Sequence, residues 1–382
     1  TDVFARGGIQ RYSRHQVRAL RELHGDAKLS VLSLLPPAEH GFEDPVEVEA
    51  WHGSTHRWLR NWRYTWRALR LARGKWFDLV LCNHVSLAPV ALLIKRLLGT
   101  PYCVNTYGME VWSGLSRARM AGLRHADAIF PDCRFTRDHL VHELKLTPEK
   151  ITVLEDCVDT ELFAPASASA ATRARWRLPA GTKTLITVSR LVSGAQYKGH
   201  ECVMRAIRDH CRDLPLAYLI VGDGDDRARL EALAGEWGLR DVCRFTGAVA
   251  DAELVDLYRV SDLGILISER GPGKGEGIPL ALLEASACAK PIIAGHYDGS
   301  AEAVAPGVSG LVVDSLDVPA VARAIRAIVT DEALAQRMGR AGRQRIESTF
   351  SYRQFRDRLA CYLEQAWSVR KYAAAPLTLR RS

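Results

Sequence analysis

The sequence lacks the features that would place this chain in several common classes. No apolar run reaches the ~18 residues of a membrane span, because the best candidate, Val85–Ile94, is short and precedes Lys95 and Arg96. The nine cysteines include no CxxC pair, and the twelve histidines show no HExxH spacing. We therefore expect reduced, buried thiols, no metal site and no signal peptide, in a protein of the cytoplasm.

The composition that is present is that of an ordinary globular protein. Apolar residues make up 47% and charged residues 25% of the 382 positions, which excludes global disorder, collagen and coiled coil. A chain of this length has room for two domains, each with its own core. The net charge of +8 is compatible with anionic partners but identifies none of them.

Short apolar runs alternate with amphipathic stretches of helical period in both halves of the chain. This alternation is typical of parallel βαβ units and predicts an α/β fold. Strands are expected at Leu29–Leu34, Leu79–Cys82, Tyr102–Asn105, Ala128–Phe130, Ile151–Leu154, Lys183–Val188, Ala217–Val221, Val242–Thr246, Leu263–Ile267 and Pro291–Ala294. Helices are expected at Gln10–Leu23, Leu87–Leu98, Gly199–His210, Asp226–Trp237, Asp251–Tyr258, Ile278–Cys288 and Ser351–Tyr372.

An uncharged segment rich in Ala and Ser, Pro165–Ala171, separates the two halves and is predicted to be an interdomain linker. The predicted domains are residues 1–163 and 164–350, followed by a C-terminal crossover helix and tail at 351–382. That helix is expected to pack back on the first domain. The first strand, of which only Thr1–Phe4 would remain, is expected to be incomplete.

A glycine-rich loop follows the strand predicted to end at Ile267. Its glycines, at 271, 273, 275 and 277, let the backbone approach a ligand closely. Pro279 is expected near the first turn of the next helix, where its missing N–H costs nothing. Free N–H groups at that helix start would form an anion site at the carboxyl edge of the sheet.

Two carboxylates frame this segment. Glu276 lies at the exit of the loop, and Glu284 follows eight residues later inside the predicted helix. The spacing suits contacts to two different parts of one ligand. Taken singly, each is explained as well by a helix cap or a surface carboxylate, whereas the whole string of strand, glycine loop and helix favours function.

Four motifs together resemble a known family. The segment from Glu276 to Glu284, with Gly-Ile-Pro-Leu-Ala between them, resembles the E-x7-E motif of retaining GT-B glycosyltransferases of glycosyltransferase family 4. The other three motifs, in the family's order, are Gly7-Gly8-Ile9, Ser189-Arg190-Leu191 with Tyr197-Lys198-Gly199-His200, and Val221-Gly222-Asp223-Gly224. The resemblance implies two Rossmann-like domains with parallel sheets that face each other across a cleft, the first for the acceptor and the second for the donor.

The resemblance also implies roles for individual residues. Arg190 and Lys198 would clamp the diphosphate of a nucleotide sugar and neutralise the charge of the leaving group. Glu276 would contact the donor hexose near its anomeric carbon and complete the expected catalytic set, while Glu284 would bind the ribose hydroxyls. The remaining implied donor-binding residues are Gly7, Gly8, Gly222, Val249, Gly277, Ile278, Pro279 and Leu280.

The acceptor side is less defined. Asn105–Trp112 resembles the family's H-G-x-E segment, but Tyr107 occupies the position where His is common. Tyr107 and Glu110 are therefore the acceptor-side candidates, with a structural loop as the alternative for Glu110. The role of Glu276 also has two versions: a covalent carboxylate intermediate, as in retaining glycosidases, or positioning of the sugar while the diphosphate departs from the front face.

A basic and aromatic stretch stands apart from these motifs. Residues 56–75 contain seven Arg and Lys and no acidic residue, and five of the nine Trp lie between 51 and 76. On a helix, Trp58, Trp62 and Trp66 fall on one side, with Arg63 and Arg67 on the flank. The pattern is typical of a helix on an anionic membrane surface; a Trp stripe packed in the core is the alternative. Nucleic acid is not expected, because no nucleic-acid-binding fold signature is present.

The expected function is transfer of a hexose, with retention, from a UDP- or GDP-linked sugar to a saccharide or lipid-linked saccharide. Such a step belongs to the biosynthesis of cell-surface polysaccharide or glycolipid, in the cytoplasm or at the inner face of the cytoplasmic membrane. The nucleotide sugar is a co-substrate, and no cofactor is expected. A GT-B phosphorylase or synthase acting on a sugar phosphate and a non-catalytic sugar-nucleotide-binding scaffold are the alternatives. A dinucleotide-dependent oxidoreductase is disfavoured, since the G-x-G-x-x-G motif is missing.

Overall fold

The computed structural model describes residues 7–25, 28–34, 57–269, 271 and 274–373, with side chains except at 57 and 366–373. Contacts divide the chain into two units. The first holds the described parts of Thr1–Asp132, Arg137–Leu154 and Arg353–Ser382; the second holds those of Cys133–Thr136 and Glu155–Tyr352. The predicted junction at 163/164 therefore differs from this division and falls inside the second unit.

Helices and strands alternate along most of the described chain. The strands are β1 (Val80–Cys82), β2 (Tyr102–Thr106), β3 (Ala128–Pro131), β4 (Lys183–Val188), β5 (Leu216–Val221), β6 (Cys243–Gly247), β7 (Leu263–Leu266), β8 (Ile292–Gly295) and β9 (Gly310–Val313). The helices are α1 (Gly8–His24), α2 (Arg57–Gly74), α3 (Ala88–Leu98), α4 (Met109–Trp112), α5 (Arg117–Arg124), α6 (Arg134–His142), α7 (Ala170–Arg175), α8 (His200–His210), α9 (Arg227–Glu236), α10 (Asp251–Val260), α11 (Leu280–Ala287), α12 (Val318–Thr330), α13 (Glu332–Arg345) and α14 (Tyr352–Ala373).

The first unit contains a parallel three-stranded sheet in the order β1-β2-β3. The strand predicted at 151–154 is reduced to a bridge between Ile151 and Ile129. Beyond it, Leu154 donates its N–H to the carbonyl of Pro131 at the end of β3. In the strand predicted at 29–34, only Val31 has bridge geometry. Both predictions were therefore too long, because these apolar segments touch the sheet without forming a full ladder.

The second unit contains a parallel six-stranded sheet in the order β6-β5-β4-β7-β8-β9. All residues of β5, β7 and β8 are buried, as expected for strands covered by helices on both faces. The edge strand β9 was not predicted. In the predicted linker Pro165–Ala171, residues 165–169 have no regular structure and α7 begins at Ala170, and the whole segment lies within the second unit.

The C-terminal helix α14 packs within the first unit. Phe355 is fully buried and meets the ring of Tyr12 edge to face, with centroids 5.3 Å apart. Tyr362 stacks on Phe130 at 6.1 Å. These aromatic contacts, worth about 0.5–1.5 kcal/mol each beyond the buried area, tie the end of the chain to α1 and β3.

Helix α2 exposes its tryptophans. Trp58, Trp62 and Trp66 all lie at the surface, so the alternative of a Trp stripe packed in the core is wrong for these three side chains. Among the described helices, none is both long enough and apolar enough to cross a bilayer.

Candidate functional site

The two central strands of the six-stranded sheet mark the place where a ligand is expected. β4 and β7 are neighbours, and from them the chain winds outward in opposite directions, to β6 on one side and β9 on the other. In such sheets a ligand binds outside the carboxyl ends of the strands at this reversal. The loops that leave β4 and β7 carry Arg190, Lys198 and Glu276, so the whole predicted catalytic set starts at this edge.

Lys198 and Glu276 meet in an ion pair. Lys198 ends a short 3-10 helix, Ser193–Lys198, in the loop after β4, and its Nζ lies 2.7 Å from Oε1 of Glu276 in the loop after β7. The two side chains are only 13% and 17% exposed. Charges with so little water around them depend on each other, because removal of either leaves the other poorly compensated.

Gly199 allows the two loops to approach. Its φ of +80° lies in the left-handed region, and a Cβ at this position would stand 2.2 Å from the carbonyl oxygen of Ile267. Any side chain would push the loop after β4 away from the end of β7. Glycine at position 199 therefore brings the ammonium of Lys198 to the carboxylate of Glu276.

Asp298, which the sequence analysis did not single out, holds the backbone of Glu276. Its Oδ2 accepts the N–H of Glu276 at 2.7 Å, and its Oδ1 accepts the N–H of Ser300 at 2.9 Å. The pKa of Asp298 is raised to about 6, chiefly by burial and to a lesser extent by the Glu276 charge, while its hydrogen bonds oppose the rise. The only signal in the sequence was an Asp two residues before a Ser, a capping pattern common in ordinary turns.

Tyr197 belongs to the motif around Lys198, but no role was predicted for it. Its side chain is buried beside Glu276, and burial together with that negative charge raises the pKa of the phenol. The phenol therefore stays protonated. Arg190, by contrast, is exposed and forms no ion pair with any residue that the structure describes. Its guanidinium is the accessible cation of the predicted set.

The helix after the glycine loop begins later than predicted. α11 starts at Leu280, and Pro279 is its N-cap residue, whose carbonyl accepts the N–H of Leu282 at 3.1 Å. Proline disfavours helical geometry at the residue before it, which explains why Ile278 lies outside the helix. Ile278, Pro279 and Leu280 are buried and Gly277 is half-buried, so this corner of the backbone is fixed against the core.

Glu284 lies on α11 with its side chain buried. It is 3% exposed, and its Oε2 accepts a hydrogen bond of 2.8 Å from the hydroxyl of Tyr258 on α10. The interpretation of Glu284 as a surface carboxylate is therefore wrong. A buried carboxylate is costly unless it is hydrogen-bonded, so this placement sets Glu284 apart from an ordinary helix residue. Val249, after β6, is half-buried and packs against the hydrophobic cluster that includes Tyr258 and Ile278.

Gly222 has a packing explanation that the sequence analysis did not foresee. It follows β5, and a Cβ at this position would lie 1.8 Å from the carbonyl oxygen of Ser189, at the end of β4. Glycine here lets the loops after two adjacent strands lie against each other. Its predicted contact with a donor stays a prediction.

The other predicted residues belong to the first unit. Gly7 is the N-cap residue of α1 and Gly8 is the first helical residue. The carbonyl of Gly7 accepts the N–H of Arg11 at 3.0 Å, which starts the helix. The helix predicted to begin at Gln10 therefore begins two residues earlier. The role of Gly7 and Gly8 in donor binding stays a prediction.

Glu110 is engaged with its own loop. Its Oε1 accepts the backbone N–H of Tyr107 at 2.5 Å, and burial raises its pKa. The ring of Tyr107 is buried and meets Tyr12 edge to face at 5.1 Å. These contacts favour the structural alternative for Glu110, and an acceptor role for either residue stays a prediction.

Comparison with known families covers both units. Residues 7–157 match the family described as "Glycosyl transferase 4-like domain", and residues 169–345 match "Glycosyl transferases group 1". A GDP-mannose-dependent alpha-(1-6)-phosphatidylinositol monomannoside mannosyltransferase of Mycolicibacterium smegmatis is 34% identical over 284 residues, 72% of this chain and 73% of that protein. A D-inositol 3-phosphate glycosyltransferase of Corynebacterium jeikeium is 33% identical over 353 residues, 84% of this chain and 80% of that protein.

Solved structures share the architecture. A glycosyltransferase from Rickettsia africae superposes with a TM-score of 0.79 at 16% identity, over 94% of this chain and 95% of that one. A sucrose-phosphate synthase from Thermosynechococcus elongatus gives a TM-score of 0.77 at 20% identity, over 95% and 94% of the two chains. At such identities the likeness establishes the fold alone.

Proposed function

Because this chain belongs to the group 1 glycosyltransferases, we propose that it transfers a hexose from a nucleotide diphosphate sugar with retention of anomeric configuration. GDP-mannose is the first donor to test, since a relative at 34% identity is named as GDP-mannose-dependent. The proposed acceptor is a lipid-linked saccharide or an inositol-containing glycolipid. The names of both curated relatives include inositol or phosphatidylinositol, which supports this choice.

The ion pair between Lys198 and Glu276 carries the proposal. It places a cation and a carboxylate 2.7 Å apart at the strand reversal, where a sheet of this order binds its ligand. A nucleotide sugar presents a diphosphate and a hexose as neighbouring groups. The diphosphate would compete for Lys198 and release the carboxylate of Glu276 toward the sugar.

The residues at this edge match the electrostatic demand of the reaction. Negative charge builds up on the diphosphate as the bond to the anomeric carbon breaks. Lys198 and the exposed Arg190 supply positive side chains, and the start of α11 adds the positive end of its dipole. Preorganised positive charge of this kind stabilises the leaving group without needing a metal, and we propose a metal-independent enzyme that uses no cofactor.

Glu276 is assigned to positioning of the hexose and to stabilisation of positive charge at the anomeric carbon. Its backbone is held by Asp298 at 2.7 Å, so the direction of its side chain is restricted. This assignment of Glu276 is compatible with front-face departure, in which the diphosphate assists deprotonation of the acceptor. Glu284 is assigned to the ribose, with Tyr258 orienting its carboxylate through a bond of 2.8 Å.

The test is turnover with a panel of GDP- and UDP-linked sugars and a lipid-linked acceptor, followed by NMR of the product linkage. The proposal expects release of nucleoside diphosphate, an α-linked product from an α-linked donor, and full activity in EDTA. A β-linked product would contradict retention. Activity that requires inorganic phosphate would instead identify the phosphorylase alternative.

A further inference from the structure

Helix α2 has one face that packs in the first unit. Tyr64 and Ala68 are buried, and the hydroxyl of Tyr64 reaches the carbonyl of Leu32 at 3.4 Å. These two residues are four apart, so they share one side of the helix. The opposite side is left at the surface.

That opposite side carries large aromatic rings. Trp58, Trp62 and Trp66 are 69%, 63% and 53% exposed. Their spacing of four residues aligns them into one stripe along the helix. Single exposed apolar residues are ordinary, but three aligned indoles form a contiguous patch of the kind that marks an interaction surface.

The same side is strongly basic. The helix sequence contains six arginines and no acidic residue. At 100° per residue, Arg63, Arg70 and Arg73 fall on the same half of the helix as the tryptophans, and all three are exposed. The guanidinium of Arg70 lies 5.3 Å from the centre of the Trp66 ring, a cation–π distance.

We propose that this surface, formed by Trp58, Trp62, Arg63, Trp66, Arg70 and Arg73 and named here the tryptophan face, docks on an anionic phospholipid membrane. Indole rings favour the depth of the lipid headgroups, and guanidinium groups bind lipid phosphates at the same depth. A helix with aromatics and cations on one face and a packed opposite face lies in the plane of the interface. The complementary charge of the lipid is what selects this occupant.

The inference goes beyond the proposed transfer reaction and does not depend on it. It gives the enzyme a way to reach acceptors that stay in a membrane. Donor chemistry takes place at the strand reversal of the second unit, whereas the tryptophan face belongs to the first unit. Docking and turnover can therefore be measured separately.

The experiment is co-sedimentation of the full chain with vesicles of phosphatidylcholine alone and of phosphatidylcholine with phosphatidylglycerol. Binding is expected to the anionic vesicles at low salt and to fall as salt screens the charges. Replacement of Arg63, Arg70 and Arg73 by Gln should weaken partition onto the anionic vesicles roughly a hundredfold, because each basic side chain near an anionic surface strengthens binding several-fold. Trp62→Gln with Trp66→Gln should also weaken it, at both low and high salt.

A matched control removes the same charge elsewhere. Arg323, Arg337 and Arg340 are exposed on the second unit, and their replacement by Gln lowers the net charge equally. This control should bind vesicles like the unchanged protein, and all variants should keep their melting temperature and their turnover of a soluble acceptor.

An equal loss of vesicle binding in the control, equal binding of the unchanged protein to neutral vesicles, or no vesicle binding would overturn the proposal. Competition by single-stranded oligonucleotides for the tryptophan face would overturn it in favour of nucleic acid. If the unchanged protein binds anionic vesicles but transfers no hexose, the proposed function is wrong and the docking proposal is unaffected.

Discussion

The backbone N–H of Glu276 donates a hydrogen bond to Oδ2 of Asp298 over 2.7 Å, while the other oxygen of Asp298 accepts the N–H of Ser300. One buried carboxylate thus joins the glycine loop after β7 to the turn after β8. Through this bond Asp298 restrains the residue whose side chain pairs with Lys198. Asp298 is a positioning residue, because its carboxylate acts on the backbone of Glu276.

Replacement of Asp298 by Asn should change how stability depends on pH. The pKa of Asp298 is raised from 3.8 to about 6, so its favourable contribution is present below pH 4 and is lost as pH rises through about 6. The buried His200 acts in the opposite sense. Burial lowers its pKa from 6.5 to about 4, so its contribution is present above pH 6.5 and is lost as pH falls. The two effects partly cancel in the unchanged protein.

Without the titration of Asp298, the loss of stability on acidification should be steeper. Urea unfolding of Asp298→Asn and of the unchanged protein between pH 4 and 7 measures this difference. The free energy of unfolding of the variant, relative to the unchanged protein, should rise with pH across this range. Asp317→Asn, at an exposed helix cap that accepts the N–H of Ala320, is the control and should follow the unchanged protein. Parallel profiles for Asp298→Asn would contradict the raised pKa.

Replacement of the two glutamates should affect different kinetic constants. Glu276→Ala should lower kcat by roughly a hundredfold or more, because charge stabilisation at the reacting centre is lost. Glu284→Ala should mainly raise the KM for the donor, by roughly tenfold or more, from lost hydrogen bonds to a charged group. Steady-state kinetics with the preferred nucleotide sugar measures both. Tyr258→Phe is the milder comparison for Glu284, since it removes the 2.8 Å hydrogen bond and keeps the carboxylate. Full turnover by Glu276→Ala would contradict its assignment.

Two glycines with nearly the same backbone angle offer a matched pair. Gly199 and Gly181 have φ of +80° and +81°, but a Cβ on Gly199 meets the carbonyl of Ile267 at 2.2 Å, whereas Gly181 faces open space. Gly181→Ala should cost about 1 kcal/mol of stability from left-handed backbone alone. Gly199→Ala should cost at least ~1–2 kcal/mol more and lower donor turnover, because the loop that bears Lys198 must move. Chemical denaturation and kinetics of both variants measure this. Equal stability of the two would contradict the packing argument.

Much of the fold could be predicted because its strands are short apolar runs between glycine and polar turns. The α/β class, the GT-B architecture and the family resemblance are confirmed, and so is the class of activity, a glycosyltransferase acting on a nucleotide sugar. The strand Lys183–Val188 has the predicted bounds. The edge strand β9 and the single bridge at Ile151 show the limit, since pairing at an edge depends on neighbours that periodicity does not reveal.

The candidate site was predictable only where motifs carried it. Lys198 and Glu276 come from segments almost 80 positions apart, and the motifs named both residues before their contact was known. Asp298 and Tyr258 lie outside these motifs, and Tyr197 lies in one of them without a predicted role, because a buried Asp or Tyr acquires its role from what packs against it. The exposure of the tryptophans on α2 likewise could not be decided from a pattern that fits a core stripe and a surface stripe equally.

The proposed function depends most on the binding of a sugar-bearing diphosphate at the pair formed by Lys198 and Glu276. Calorimetric titration of the full chain with GDP-mannose, and with UDP-linked sugars for comparison, tests it most directly. We predict saturable binding of one nucleotide sugar, weakened roughly tenfold to a hundredfold by Lys198→Met through loss of a charge-assisted phosphate contact. Lys183→Met, at a lysine that pairs with Asp262 at the opposite end of β4, should leave the affinity unchanged. Absence of binding by any nucleotide sugar, or equal affinity in the Lys198 variant, would contradict the proposed function.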